Sequence, residues 1–290
     1  MRILLLGADT PVGHSLRAFI PPLQRHDLLL TSLEATRWQR PRMVKKLLKT
    51  SAPDLIVDAR AVSQVDFTDA DLAPELERSQ WIAETVGKLG SRYVLLSSSR
   101  VFHGGLKRPY RESDAPDAIS SEGRFLIQTE QLMADHIEPL FVLRLGWIFA
   151  GRGPGAFHRM LDSFRRGETV YASDNRRDCP VHTAEVARVV AGIIDQISVG
   201  APPRGTYHYG SDGDTGWFAF AEAVVAYASQ FDTFANATEL LQEGHGAEAA
   251  HVNRALDCTA IRHQFGIQRR PWRDFIERAV RRYIELYSEA

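Results

Sequence analysis

Short apolar runs alternate with stretches of helical periodicity along the chain. Ile3–Leu6, Leu28–Leu33, Asp54–Asp58, Tyr93–Ser97, Leu140–Arg144 and Gly205–Gly210 read as strands. Between them, about Gly13–Ile20, Arg40–Thr50, Leu72–Leu89 and Ser121–His136 read as helices, and Pro21-Pro22 stops the first. Strands bridged by helices in this order predict an α/β fold, with parallel strands and crossover helices.

The later half is more mixed. Gly151–Gly155 is glycine-rich and reads as a loop, with a helix continuing over Met160–Arg166. Cys179–Ala187 reads as a loop leading into a helix, with Thr183 as its N-cap. Trp217–Ala228 is a further helix, and Gln242–Ala250, rich in Gly, Glu and Ala, reads as a flexible surface loop. Trp272–Tyr287 is an amphipathic helix whose arginines are interleaved with Asp274, Glu277 and Glu285, the pattern of a solvated face.

Composition narrows the function classes. A chain of 290 residues can bury a sizeable core, and its net charge of -1 gives no global field to recruit nucleic acid or an anionic membrane. No apolar run approaches the about 20 residues that span a bilayer. The first run, Ile3–Leu6, ends in Gly7 and has no signal-peptide core, so it reads as a buried strand. Cys179 and Cys258 have no metal-like spacing and read as isolated thiols in a reducing cytoplasm. No histidine pair has metal-ligand spacing, and no nucleophile elbow stands out.

Gly7-Ala8-Asp9-Thr10-Pro11-Val12-Gly13 follows a strand and opens a helix, the context in which a glycine-rich turn cradles a dinucleotide. Such a turn needs glycine for the tight bend, for backbone approach to the pyrophosphate, and for close helix–strand packing. In the pattern Gly-x-x-Gly-x-x-Gly the middle position here is Thr10, and Pro11 removes one amide donor. Ser32 stands near the end of the second strand, with Glu34 and Arg37 a little beyond. Retained and lost NAD or NADP binding both remain open.

Residues 93–104, Tyr-Val-Leu-Leu-Ser-Ser-Ser-Arg-Val-Phe-His-Gly, resemble the "STDYVFDG" segment of extended short-chain dehydrogenases. Pro53–Ala61 is similar to "PDVVINAAA", Leu143–Phe149 to "LRTSWVYG", Gly205–His208 to "GIYH", Trp217–Ala221 to "WYEFA" and Leu256–Ile261 to "LDCSKL". Taken in order, these fragments resemble the dTDP-4-dehydrorhamnose reductase, or sugar-nucleotide-binding, family almost from end to end. The resemblance implies a Rossmann-type doubly wound parallel sheet with a smaller C-terminal α/β substrate lobe. Residues 1–150 would form the NAD(P)-binding-like domain. Residues 151–290 would be mainly substrate lobe, with some segments returning to the Rossmann core.

The resemblance also implies hydride transfer from NAD(P)H to a 4-keto sugar nucleotide. In that chemistry a tyrosine protonates the alkoxide, a lysine holds the nicotinamide ribose, and a Ser or Thr orients the carbonyl. Ser98 matches the last of these. The Tyr-x-x-x-Lys pair, counted on from Pro109–Pro116, falls on Glu122 and Leu126. The catalytic candidates are therefore Ser98 and Glu122, and the cofactor candidates Gly7, Thr10, Val12, Gly13, Ser32, Ala59 and Ala61. Ser99, Arg100, Trp147, Arg176 and Arg177 are the substrate candidates. Arg60, Arg100, His103, Arg108 and Arg124 read as scattered surface charges, with a cationic rim suited to a phosphate as the alternative.

Two functional readings follow. One is a non-catalytic relative that binds a nucleotide sugar or other small nucleotide ligand, or a protein partner, with a homodimer among the candidate assemblies. The regulatory subunit of eukaryotic methionine adenosyltransferase is a precedent of that kind within the resembled family. The other is an active NAD(P)H-dependent reductase using Ser98 and Glu122. Nucleic acid and membrane are excluded as partners by the charge and hydropathy of the chain.

Overall fold

The computed structural model describes residues 1–32, 38, 40–63, 67–153, 155–234, 239–242 and 252–287. In the first half, β1 (Arg2–Leu6), β2 (Asp27–Thr31), β3 (Leu55–Asp58), β4 (Arg92–Ser98) and β5 (Leu140–Leu145) alternate with helices. These helices are α1 (Pro11–Phe19), α2 (Pro41–Ser51), α3 (Asp69–Leu89) and α4 (Ser121–His136). Next come β6 (Ile148–Phe149), α5 (Ala156–Arg166), β7 (Val170–Ala172), β8 (Arg176–Asp178), β9 (Val181–His182) and α6 (Thr183–Ser198). The chain continues through β10 (Gly205–Tyr209), β11 (Thr215–Gly216), α7 (Trp217–Ala228), β12 (Leu240–Gln242), β13 (Val252–Asn253), α8 (Thr259–Phe265) and α9 (Ile276–Tyr287).

Six strands form one parallel sheet in the order β10-β5-β4-β3-β1-β2. The period of two along each strand divides its side chains between two cores. Ile3 and Leu5 of β1, Val94 and Leu96 of β4, and Phe141 and Leu143 of β5 join the core that includes α1, α6 and α8. Leu4, Leu6, Tyr93, Leu95 and Val142 face a second core with α2, α3 and the C-terminal half of α4. Both faces are covered, which explains why these strands read as continuous apolar runs. The chain order reverses between β1 and β3, so the carboxyl ends of these strands open on the crevice where a doubly wound sheet takes its ligand.

A third core lies in the second half. Phe149, Leu161, Phe164, Phe220, Trp272 and Tyr283 are buried together, roofed by the small sheet β11-β8-β13 and the pair β12-β7. α6, β10 and α8 instead pack on the main sheet, so the second half returns to the first core. No helix among the described residues is long and apolar enough to cross a membrane.

Several expected boundaries shift for identifiable reasons. α1 begins at Pro11, because Thr10 caps it and proline suits the first helical position. α3 starts at Asp69, where Thr68 and Asp71 form a capping box. The cap of α6 is His182, not Thr183: the His182 ring accepts from the Ala184 N–H at 3.1 Å. The C-terminal helix opens as a 3-10 turn over Trp272–Phe275 before α9 begins. The second strand ends at Thr31. Its expected last residue, Leu33, and nearly all of the expected loop 242–250 lie outside the described residues.

One buried charge pair fastens α4 across the sheet. Arg144 on β5 donates to Glu130 on α4 at 2.6 Å through Nη2 and at 3.1 Å through Nε. The Ser97 hydroxyl on β4 donates to the same carboxylate. Arg144 also lies over the Phe102 ring at 5.3 Å. Both charged residues are buried, and removing one partner of such a pair leaves an uncompensated charge. We expect Glu130→Ala to destabilise the protein by about 3–5 kcal/mol in chemical denaturation. Glu130→Gln, which keeps an acceptor, should cost less.

Candidate functional site

The glycine-rich turn is built around contact between backbones. Gly7 has φ +80, where glycine is favoured. A Cβ on Gly13 would stand 2.0 Å from the Gly7 carbonyl oxygen, so only glycine lets α1 approach β1 this closely. Thr10, at the middle position, folds its hydroxyl inward. It donates to the Gly7 carbonyl at 2.8 Å and accepts from the Gly13 N–H at 3.0 Å. Pro11 has no N–H, so of the first three helical positions one lacks a donor and another is bonded to Thr10. Val12 is buried in the core beneath.

The neighbouring strand ends supply further polar groups. The Ser32 hydroxyl donates to Asp9 at 2.5 Å, placing a carboxylate within the phosphate turn. Ala59, whose N–H donates to Leu6 O at 3.0 Å, and Ala61 are buried in the floor of the crevice. Between them, Arg60 turns back onto Asp58, donating at 3.0 Å through Nε and 2.8 Å through Nη2. The Tyr93 hydroxyl donates to Asp58 at 2.6 Å, and the Arg60 guanidinium lies 5.6 Å from the centre of the Trp38 ring. Burial alone would lower the Arg60 pKa; the charge and hydrogen bonds of Asp58, with Tyr93 and Glu75, together outweigh it and raise the value. Burial raises the Tyr93 hydroxyl well above its ordinary value. A pyrophosphate needs free amides and no adjacent carboxylate. The Thr10–Gly13 bond, Pro11 and Asp9 do not fit that requirement. Glu34 and Arg37 lie outside the described residues.

At the end of β4, Ser98 accepts from the Arg100 N–H at 3.3 Å, as the cap of a short 3-10 turn. Glu122, in the first turn of α4, is held by the Arg100 guanidinium. Leu126, one helical turn later, is fully buried in the core. The five lysines of the chain are Lys45, Lys46 and Lys49 on α2, Lys88 on α3 and Lys107 in the loop after β4. None belongs to α4. Tyr93 donates to Asp58, Tyr209 to Glu185 and Tyr283 to Asp162, while Tyr110 accepts from the Gly104 N–H. These four phenols are therefore committed away from Ser98.

The alternative of a cationic rim does not form around these arginines. Arg60 is buried on Asp58, Arg108 pairs with Asp114, Arg124 with Asp69 and Arg100 with Glu122. The substrate candidates do converge. Arg100, Trp147, Arg176 and Arg177 line one cavity of about 700 Å³ beneath the second lobe. Ser99 reaches its wall by donating to Asp178 at 2.7 Å. Arg177 is paired with Asp214 at 2.9 Å. Trp147 packs edge-on against Trp217, with ring centres 4.3 Å apart.

Sequence reasoning missed Arg159, Asp178, Trp217 and Arg254, which share this cavity. Asp178 directly follows Arg176-Arg177, and that adjacency was the available signal. Arg254 is brought in by the pairing of β13 with β8, which no local pattern announces. Among the described residues no cluster of three or more potential ligands suits a metal ion.

The profile of the family described as RmlD substrate binding domain matches residues 1–285. A dTDP-4-dehydrorhamnose reductase of Burkholderia thailandensis is 25% identical over 295 residues, covering 97% of this chain and 98% of that protein. The crystal structure of a dTDP-4-dehydrorhamnose reductase from Clostridium acetobutylicum superposes with a TM-score of 0.83 at 18% identity, covering 99% of this chain and 100% of the other. That of the Bacillus anthracis reductase in complex with NADP superposes at 0.81 with 19% identity, covering 96% of this chain and 97% of the other.

The cap geometry makes a stability prediction. Thr10→Ala should cost about 1 kcal/mol in thermal or chemical unfolding, and Thr10→Gly only a few tenths.

Proposed function

Because the chain belongs to the RmlD substrate binding domain family, we propose that it binds a nucleotide sugar or related nucleotide without reducing it. Its role on this reading is regulatory or ligand-binding, and the reductive chemistry of its relatives has been given up. The carrying observation is on α4. The residue in place of the proton donor is Glu122, held by Arg100, and the residue in place of the ribose anchor is Leu126, sealed in the core. A proton donor must lie within hydrogen-bond reach of the developing alkoxide. An aliphatic side chain supplies neither the charge nor the hydrogen bonds that hold a ribose.

Loss of the cofactor is part of the same proposal. NAD or NADP would bring hydride chemistry if bound, and its pyrophosphate would meet the first turn of α1. There Thr10 satisfies the Gly13 amide, Pro11 offers none, and Asp9 adds negative charge. The second-lobe cavity supports ligand binding. Arg176 and Arg254 offer guanidinium groups suited to a diphosphate, and Trp147 and Trp217 offer aromatic surface for a base.

The purified protein tests this directly. We expect dTDP to raise its melting temperature, while NADH and NADPH leave it unchanged and show no fluorescence transfer. With a dTDP-4-keto-6-deoxy sugar, reduced cofactor should not be consumed. Turnover at ordinary enzyme rates, about 1–10³ s⁻¹, would overturn the proposal. The triple variant Thr10→Gly, Glu122→Tyr, Leu126→Lys should gain cofactor affinity over the unmodified chain.

A further inference from the structure

We infer that Asp178 is the specificity-determining residue for the sugar end of a nucleotide ligand, accepting hydroxyl hydrogen bonds from it while Ser99 holds the carboxylate in place. The inference rests on the nucleotide-binding reading above and adds to it the part of the ligand that is read.

Trp147, Trp217 and Tyr171 give the cavity its aromatic surface. Asp178 lines the same cavity and is tied to the carboxyl end of β4 through Ser99. Ser99 stands where the resembled "STDYVFDG" segment has its aspartate. The carboxylate of this wall instead comes from β8, across the hydrogen bond from the Ser99 hydroxyl.

Asp178 is preorganised rather than mobile. Oδ2 accepts from Ser99 at 2.7 Å, and Oδ1 accepts from the Cys179 N–H at 2.7 Å. An ionised carboxylate has about four acceptor positions, so these two bonds fix its plane and leave acceptor capacity for a ligand. Arg254 stands near on the third side, with its Nε donating to Phe102 O at 2.8 Å. A carboxylate in this position is unfavourable to a diphosphate and favourable to a pyranose hydroxyl. It therefore rewards the sugar and not the nucleotide alone.

The same placement makes recognition depend on pH. Burial pushes the Asp178 carboxyl up to about 6, against the opposing effects of Ser99, the Cys179 amide, Arg254 and the Trp147 backbone. The charged groups around it are Arg254, Arg176 on its own strand, and Arg100 with its partner Glu122. Hydroxyl donors stabilise the ionised form, so a bound sugar lowers this pKa. By linkage, the sugar's contribution is complete above the free value of about 6 and is lost as pH falls through the bound value.

The experiment is calorimetry of the full chain with dTDP and with dTDP-glucose at about pH 8 and about pH 5. In the unmodified protein the glucose moiety should add about tenfold to hundredfold in affinity at the higher pH, the range of a charge-assisted hydrogen bond, and little at the lower. Asp178→Ala should abolish this increment at both pH values while binding dTDP at least as tightly. That retained dTDP binding also reports an intact cavity. Asp178→Asn, nearly isosteric, should keep part of the increment with a flat pH profile, and Ser99→Ala should reduce it. An increment of the same size and pH dependence in the two Asp178 variants overturns the role of Asp178 and leaves the nucleotide reading standing. Failure of the unmodified protein to bind either ligand overturns the nucleotide reading and this inference with it.

Discussion

Contact between two backbones at the first turn of α1 governs the rest of the molecule. Gly13 packs so closely on Gly7 that a single Cβ would stand 2.0 Å from a carbonyl oxygen. That approach sets α1 against β1 and aims the helix N-terminus at the switch point between β1 and β3. It buries Val12 and Leu16 in the main core, and it fixes where any ligand of the sheet must sit. The contact constrains shape and is indifferent to chemistry. Thr10 can turn inward and satisfy the Gly13 amide while the helix stays where it is. The geometry of this turn thus rests on backbone packing and does not depend on the polar groups of its loop.

The arginines follow a similar logic. Only five of the 35 basic residues are lysines. A guanidinium presents a planar fork that matches a carboxylate, and it seeks such partners wherever the chain supplies them. Arg60 takes Asp58, Arg100 takes Glu122, Arg108 takes Asp114 and Arg144 takes Glu130. Two of these pairs are buried and two lie nearer the surface, so they do not carry equal energies: exposed pairs are worth little, and breaking buried ones is costly. Their common effect is on function. Several cations that look available along the sequence are spoken for, while others line cavities such as that of the second lobe, where Arg159, Arg176 and Arg254 face a common space.

What could be read from the residues divides along the same line. The central parallel strands were legible because they are covered on both faces and so must be apolar at nearly every position, as in Ile3–Leu6 and Leu55–Val57. The absence of a Tyr-x-x-x-Lys spacing was legible because it rests on local counting from Ser98 to Glu122 and Leu126. The partners of those residues were not. That Arg100 would hold Glu122, or that Arg60 would turn back onto Asp58 and lie against Trp38, depends on rotamers and on loops crossing strand ends. His182 displaced Thr183 as the cap of α6 because its ring nitrogen reaches the Ala184 amide, a geometry that residue preference alone does not reveal. Asp178 and Arg254 are 76 positions apart in sequence and meet only through the pairing of β13 with β8.

The two halves of the crevice rest on separate supports, and this allows one to change without the other. The phosphate turn depends on β1, α1 and the main core. The walls of the cavity depend on the third core, where Phe149, Phe220 and Trp272 hold α5, α7 and the small sheets together. Thr10 belongs to the first support and Leu126 to the main core, while Glu122 pairs with Arg100, which lines the cavity. Hydride transfer needs both sites occupied at once with their reacting atoms aligned, so it fails when either site does. Ligand binding needs only one. The cavity of the second lobe therefore keeps its shape through packing that the phosphate turn does not share.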